Sequence, residues 1–236
     1  MPDLNLIQKI AIWVIPVLLA VTLHEAAHGW VANRLGDPTA RMLGRLTINP
    51  LKHVDPVGTI LVPAVLLLFH SSFLFGWAKP VPISPRNFKS PRRDMAMVGA
   101  AGPLANLLMA ILWSVVARIG LYLPASAAHI SEPLILLGVA GIFVNILLMV
   151  FNLIPLPPLD GGRVASGLMP RDWARNYDRI EPYGLFIIFG LILLGQFGFN
   201  IFGLILWPPT AVLLTVLATV AGFHGNEFIA WLQMLI

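Results

Sequence analysis

Long apolar runs separated by short clusters of charge organise this chain. The stretches Pro56–Ala78, Met95–Ala117, Pro133–Leu159 and Pro182–Asn226 contain no Asp, Glu, Lys or Arg. A helix needs about 20 apolar residues to cross the hydrocarbon core of a bilayer. Near the N-terminus, Ile10–Trp30 is a further run, apolar except for His24, Glu25 and His28. It is too long for the apolar core of a secretory signal and no small-residue cleavage site follows it, so it reads as a permanent helix. The pattern predicts five transmembrane helices, over residues 8–33, 95–120, 133–154, 182–197 and 201–223. The last two share one long apolar stretch and turn at Gln196-Phe197-Gly198-Phe199-Asn200.

The segment after Pro56 does not fit that pattern. Its strongly apolar part, Val57–Phe69, is short and contains Pro63, and His70-Ser71-Ser72 follows. Runs of this length are more often re-entrant than spanning, and irregular backbone at membrane depth requires cover from protein or water. Residues 57–76 are therefore read as re-entrant, beside a small β-hairpin or loop region near the cytoplasmic face.

Composition narrows the class. The 236 residues are 58% hydrophobic and 11% charged, against about 25% charged in soluble chains. This excludes a disordered or nucleic-acid-coating protein despite the formal net charge of +4, and the absence of cysteine excludes a disulfide scaffold. The expectation is an all-α polytopic membrane protein, a single membrane-embedded domain over residues 1–236 with the lipid bilayer as its surroundings and no nucleic-acid partner. With 57–76 re-entrant, the groups Arg34–Lys52, Lys79–Arg93 and Arg163–Arg179 share one face and hold every Lys and Arg except Lys9 and Arg118. Basic loops face the cytoplasm, which puts the N-terminus outside a cell membrane crossed several times.

The chemistry lies in the first helix. His24-Glu25-Ala26-Ala27-His28 sets two imidazoles four residues apart, on one helical face and close enough to share a metal. Glu25 points aside, where it can act on water without ligating. An ionisable trio inside an apolar helix is costly unless something satisfies it. A catalytic zinc takes three protein ligands and keeps a position open. The third candidate is Asp160, in Asn152-Leu-Ile-Pro-Leu-Pro-Pro-Leu-Asp160-Gly-Gly, where prolines end a helix and glycines permit close backbone approach. Asp37, His53 and Asp55 compete for this role but lie in a loop of ordinary turn residues. His28 and Asp160 can meet only if the first helix and the 133–154 helix run in the same direction, with 95–120 returning between them. One Zn2+ per chain is the expected cofactor.

These residues resemble the site-2 protease family of intramembrane zinc metalloproteases. The stretch 24–28 resembles its first zinc motif and 152–161 its second, while Ala100-Ala-Gly-Pro-Leu-Ala-Asn106 resembles its intervening helix. Asn49–Gly58 and Gly76–Pro82 resemble its compact prokaryotic branch, without PDZ or CBS domains. The resemblance implies hydrolysis of peptide bonds within or next to the membrane spans of protein substrates. His24, His28 and Asp160 would bind the metal, Glu25 would be the general base, and Asn152 the donor to the oxyanion. Asn106 and Asn145 read as helix-packing donors. The loop Gly36–Gly58 and a return strand near 73–81 are candidates to receive an unwound substrate by strand addition. Two other readings are a divalent-metal transporter, which should show internal repeats that are not visible here, and an inactive homologue that binds membrane proteins, which an intact ligand and base set opposes.

Overall fold

In the computed structural model, residues 4–61, 68, 76 and 78–236 are described, and the apolar runs among them form helices. In chain order these are α1 (Leu6–Arg34), α2 (Thr39–Met42), α3 (Pro91–Tyr122), α4 (Ala128–Asn152), α5 (Asp160–Leu168), α6 (Arg171–Asp178), α7 (Glu181–Gln196), α8 (Ile201–Ala221) and α9 (Glu227–Leu235). Helix α1 starts where Asn5 and Gln8 exchange backbone-to-side-chain hydrogen bonds of 2.9 Å in a capping box. It stops at Gly36, whose φ of 110° lets the Asp37 amide turn back onto the Ala32 carbonyl at 2.9 Å. Helix α3 begins with Pro91 in its first turn and with Asp94 accepting from the Ser90 amide at 2.9 Å.

Among the described residues four helices, α1, α3, α4 and α8, are long and apolar enough to cross a membrane. The protein is therefore a multi-pass membrane protein by architecture. The fifth expected span, 182–197, corresponds to α7. At 16 residues it is about 24 Å long, short of the ~30 Å hydrocarbon core. Helix α9 was not foreseen, although Phe228, Leu232 and Leu235 recur at i, i+4 and i+7 and are all buried.

The expected β-hairpin has no counterpart among the described residues, which contain no strand. Of its return stretch near 73–81, residues 73–75 and 77 lie outside them, as does most of the 57–76 re-entrant segment. The loop Gly36–Gly58 is built from short helical turns instead. Its amides are used locally: Leu51 donates to Asn49 Oδ1 at 3.1 Å, and Val57 and Gly58 donate to Asp55 Oδ1 at 3.0 and 2.7 Å. Pro50 and Pro56 have no amide hydrogen to give a ladder.

Helix α4 is the hub, apolar on every side and in contact with α1, α3, α8 and α9. Around it Trp113 and Ala117 of α3, Leu214 and Leu217 of α8, and Phe228 and Leu232 of α9 form the core. The outer faces of α1 and α8 expose Ile7, Ile10, Leu18, Leu204 and Val212, as expected of lipid-facing helices. Helices α3 and α4 approach through small residues, the usual device where apolar burial cannot drive helix association in lipid. A Cβ on Gly138 would lie 2.6 Å from Ala117 Cβ, and one on Gly141 would enter the Trp113 ring.

Replacing Gly138 with Leu gains less than about 1 kcal/mol of helix propensity but overpacks this contact at a cost of about 1–3 kcal/mol or more. The melting temperature of G138L in detergent is expected to fall by several degrees. A melting temperature equal to the parent's would show that α3 and α4 are not in this close register.

Candidate metal centre

Three side chains from two distant parts of the chain meet at the end of the bundle where α1 and α4 both finish. His24 and His28, one turn apart on α1, are buried, as is Asp160, the first residue of α5. The two Nε2 atoms are 3.0 Å apart, and each lies 3.1 Å from Asp160 Oδ2.

The protonation of these atoms follows from their outer partners. Asn106 spends its amide nitrogen on the Ala20 carbonyl at 3.3 Å and Asn145 Oδ1 at 2.9 Å, so its oxygen faces His24 Nδ1 at 2.6 Å. Asn145 in turn donates to the Gly141 carbonyl at 2.9 Å, which fixes its own orientation. His28 Nδ1 lies 2.7 Å from the Val98 carbonyl. Both partners are acceptors only, so in the neutral rings each Nδ1 carries the hydrogen and each Nε2 presents a lone pair.

Two bare nitrogens and a carboxylate oxygen thus point at one another, and Asp160 Oδ2 is buried without a hydrogen-bond donor. Lone pairs at this spacing repel unless a cation lies among them. Ligands of a tetrahedral zinc at 2.0–2.2 Å would be about 3.3 Å apart, close to the observed separations. The donor set therefore fits zinc, and outer hydrogen bonds of this kind are what hold metal-binding histidines in one tautomer.

Local backbone features deliver each ligand. On α3, Val98, Gly99, Gly102 and Asn106 form one face, with Gly102 against the imidazoles: a Cβ there would lie 2.6 Å from His24 Nε2 and would also strike His28. Asp160 is brought in because 161 and 162 are glycines, since a Cβ on either would collide with the backbone between Leu153 and Pro157. As the first residue of α5, Asp160 also gains from the positive end of that helix. Arg163 lies 3.9 Å from Asp160 Oδ1, the oxygen turned away from the histidines. Arg92 donates to the Ser166 carbonyl at 2.8 Å and to that of Met169, anchoring the far end of α5 to α3.

The remaining expected residues are placed as follows. The Glu25 carboxylate is partly buried and accepts from the Val81 amide at 2.8 Å. Asn152 ends α4 and donates to the Leu148 carbonyl at 2.9 Å. The competitors for the third ligand serve the loops. Burial pushes the Asp37 carboxyl up, but hydrogen bonds from the Thr39 hydroxyl, the Ser84 amide, Asn87 and the Thr39 amide outweigh it and hold its pKa below the usual range. His53 Nε2 pairs with the Thr47 carbonyl at 2.9 Å, and Asp55 caps the turn that follows it. Asn106 is an interhelical donor as expected, whereas Asn145 donates within α4 and accepts from Asn106 across the helices, and the contact of Asn106 with His24 was missed. Its signal was the four-residue spacing from Gly102, the one residue that makes room for the rings.

Comparison with known proteins agrees with this chemistry. Peptidase family M50 matches residues 118–195. The chain is 38% identical over 196 residues to a Bacillus subtilis (strain 168) protein named "Putative zinc metalloprotease YwhC", covering 83% of this chain and 84% of that one. It is 29% identical over 192 residues to a Mycolicibacterium smegmatis protein named "Putative zinc metalloprotease Rip2", covering 80% and 70%. No solved structure matches it.

Exchanging Asn106 for Leu removes the acceptor that fixes His24. Zinc affinity is expected to fall about 10- to 100-fold, read by competition with a chromogenic chelator on purified protein. An unchanged affinity would reduce Asn106 to a packing residue.

Proposed function

Because the chain belongs to peptidase family M50, the site-2 proteases, we propose that this membrane metalloprotease hydrolyses peptide bonds within or next to the transmembrane segments of other membrane proteins, with zinc as its metal and Glu25 as its general base. The observation that carries the reading is the convergence of His24, His28 and Asp160 on one point, with lone pairs inward and outer partners satisfied. Zinc held by these three residues supplies a Lewis acid that polarises a carbonyl and lowers the pKa of water toward 7.

The protein groups do the rest. Glu25, next to His24 in sequence but turned about 100° from it around the helix, takes a proton from the attacking water as the new C–O bond forms. It returns that proton to the amide nitrogen as the C–N bond breaks, leaving a carboxylic acid and an amine, which pass a proton between them to end as carboxylate and ammonium. Asn152 supports the oxyanion with the amide hydrogen not engaged by Leu148.

A substrate helix has its amides paired internally and must unwind before any of them reaches the metal ligands. The ligands lie at the end of the bundle where the basic loops gather, as Arg45 on the 79–80 backbone and Arg92 on α5 illustrate. We take that end as cytoplasmic by the positive-inside rule. This puts the N-terminus outside a cell membrane, water entry on the cytoplasmic side, and α7 as a fifth, short crossing.

Glu25→Gln is expected to keep full zinc content while lowering cleavage about 100-fold or more, the range of a lost general base. Purified protein in liposomes with a labelled single-span peptide, alongside metal analysis, measures both. Cleavage at the parent rate would remove Glu25 from the reaction. Asn152→Ala is expected to lower kcat about 100-fold with KM little changed, as for a lost oxyanion donor; a change confined to KM would assign Asn152 to substrate binding.

A further inference from the structure

The Glu25 carboxylate is held by something that none of its roles so far requires. Its Oε2 accepts the backbone amide of Val81 at 2.8 Å, from a segment 56 residues further along the chain. Val81 is buried and lies between Pro80 and Pro82. Prolines have no amide hydrogen, so Val81 carries the one donor in the run 80–82. The same prolines stiffen it: Pro80 has a fixed φ, and Pro82 restricts Val81 to extended backbone.

The segment is tied on both sides of that donor. The Lys79 amide donates to the His53 carbonyl at 2.8 Å. Arg45 donates to the Lys79 and Pro80 carbonyls at 2.9 and 3.3 Å. Beyond Val81, the Ser84 amide donates to Asp37 Oδ2 at 2.7 Å. Val81 itself packs on α1, its Cγ1 being 3.0 Å from where a Cβ of Gly29 would sit. A glutamate has three rotatable side-chain bonds, and a charge-assisted bond from a rigid donor removes much of that freedom. The other oxygen, Oε1, accepts no hydrogen bond among the described residues.

On the reading of Glu25 as the base, we infer that the Val81 amide, braced by Pro80, Pro82 and Arg45, is the positioning group that orients Glu25, fixing one carboxylate oxygen and presenting the other for proton transfer. Val81 contributes through its backbone, so side-chain truncation and amide removal should differ. Because misplacing a catalytic group by about 1 Å can cost about 100-fold, the effect belongs in kcat rather than KM.

The test uses the zinc-loaded full chain in detergent with fluorescein-labelled casein, an unfolded substrate that needs no unwinding. Val81→Pro removes the amide hydrogen, and Val81→Ala truncates the side chain but keeps it. The kcat of V81P is expected to be about 10-fold or more below that of V81A, with similar KM and equal zinc content. Arg45→Ala, which loosens the brace, is expected to lower kcat by a smaller factor of about 3 to 10, and decides the matter if V81P does not fold. Equal kcat for V81P and V81A, or parental kcat for R45A, would overturn the inference. Faster turnover by V81P would also overturn it, making the contact an inhibitory lock. Glu25→Gln measured in parallel separates the two levels: an inactive E25Q with V81P equal to V81A refutes only the positioning role, whereas an active E25Q refutes the base itself.

Discussion

Three lone pairs directed at one point, inside an apolar helix bundle, constrain everything around them. As neutral rings, His24 and His28 share no hydrogen between their Nε2 atoms, because each has its hydrogen on the far side of the ring, committed to Asn106 or to the Val98 carbonyl. Asp160 Oδ2 has no donor to satisfy it. Burying such groups in lipid costs several kcal/mol when they are uncompensated, so the rest of the structure is best understood as what makes a cation fit there.

Helix α3 has the largest part in this. Its carbonyl at Val98 and its side chain at Asn106 orient the two imidazoles, its Gly102 leaves them room, and its Gly99 admits the α5 backbone, 3.0 Å from a would-be Cβ. Further along the same stripe, Ala117 and Trp113 meet Gly138 and Gly141 of α4 at close range. Packing against α4 therefore sets the height and rotation of the helix that holds the ligands. The Asn106–Asn145 hydrogen bond joins the metal centre to that packing directly, since Asn145 belongs to α4. Stability of the bundle and geometry of the centre are thus carried by the same helix.

What the sequence disclosed and what it hid divide along physical lines. The ligands were legible because side-chain chemistry at four-residue spacing is a helical pattern, and Asp160 because prolines and paired glycines mark an abrupt change of direction. Helix positions were legible from the charge-free runs, although whether the 16 residues of α7 cross a bilayer is a matter of length that composition does not decide. Backbone roles were hidden: every residue has a carbonyl and nearly every one an amide, so nothing marked Val98 as a histidine partner, and only the flanking prolines hinted at Val81. The loop 36–58, read as a candidate for strand addition, holds no strand, because Asn49 and Asp55 draw neighbouring amides into local turns.

Zinc K-edge X-ray absorption on the purified protein tests the centre most directly. The expected spectrum is a four-coordinate site with nitrogen and oxygen scatterers at about 2.0–2.2 Å, imidazole outer-shell features from two histidines, and one zinc per chain, with the signal disrupted in Asp160→Ala. A chain that binds no stoichiometric zinc, or one whose spectrum is unaffected by loss of Asp160, would contradict the assignment of His24, His28 and Asp160 as a single metal centre.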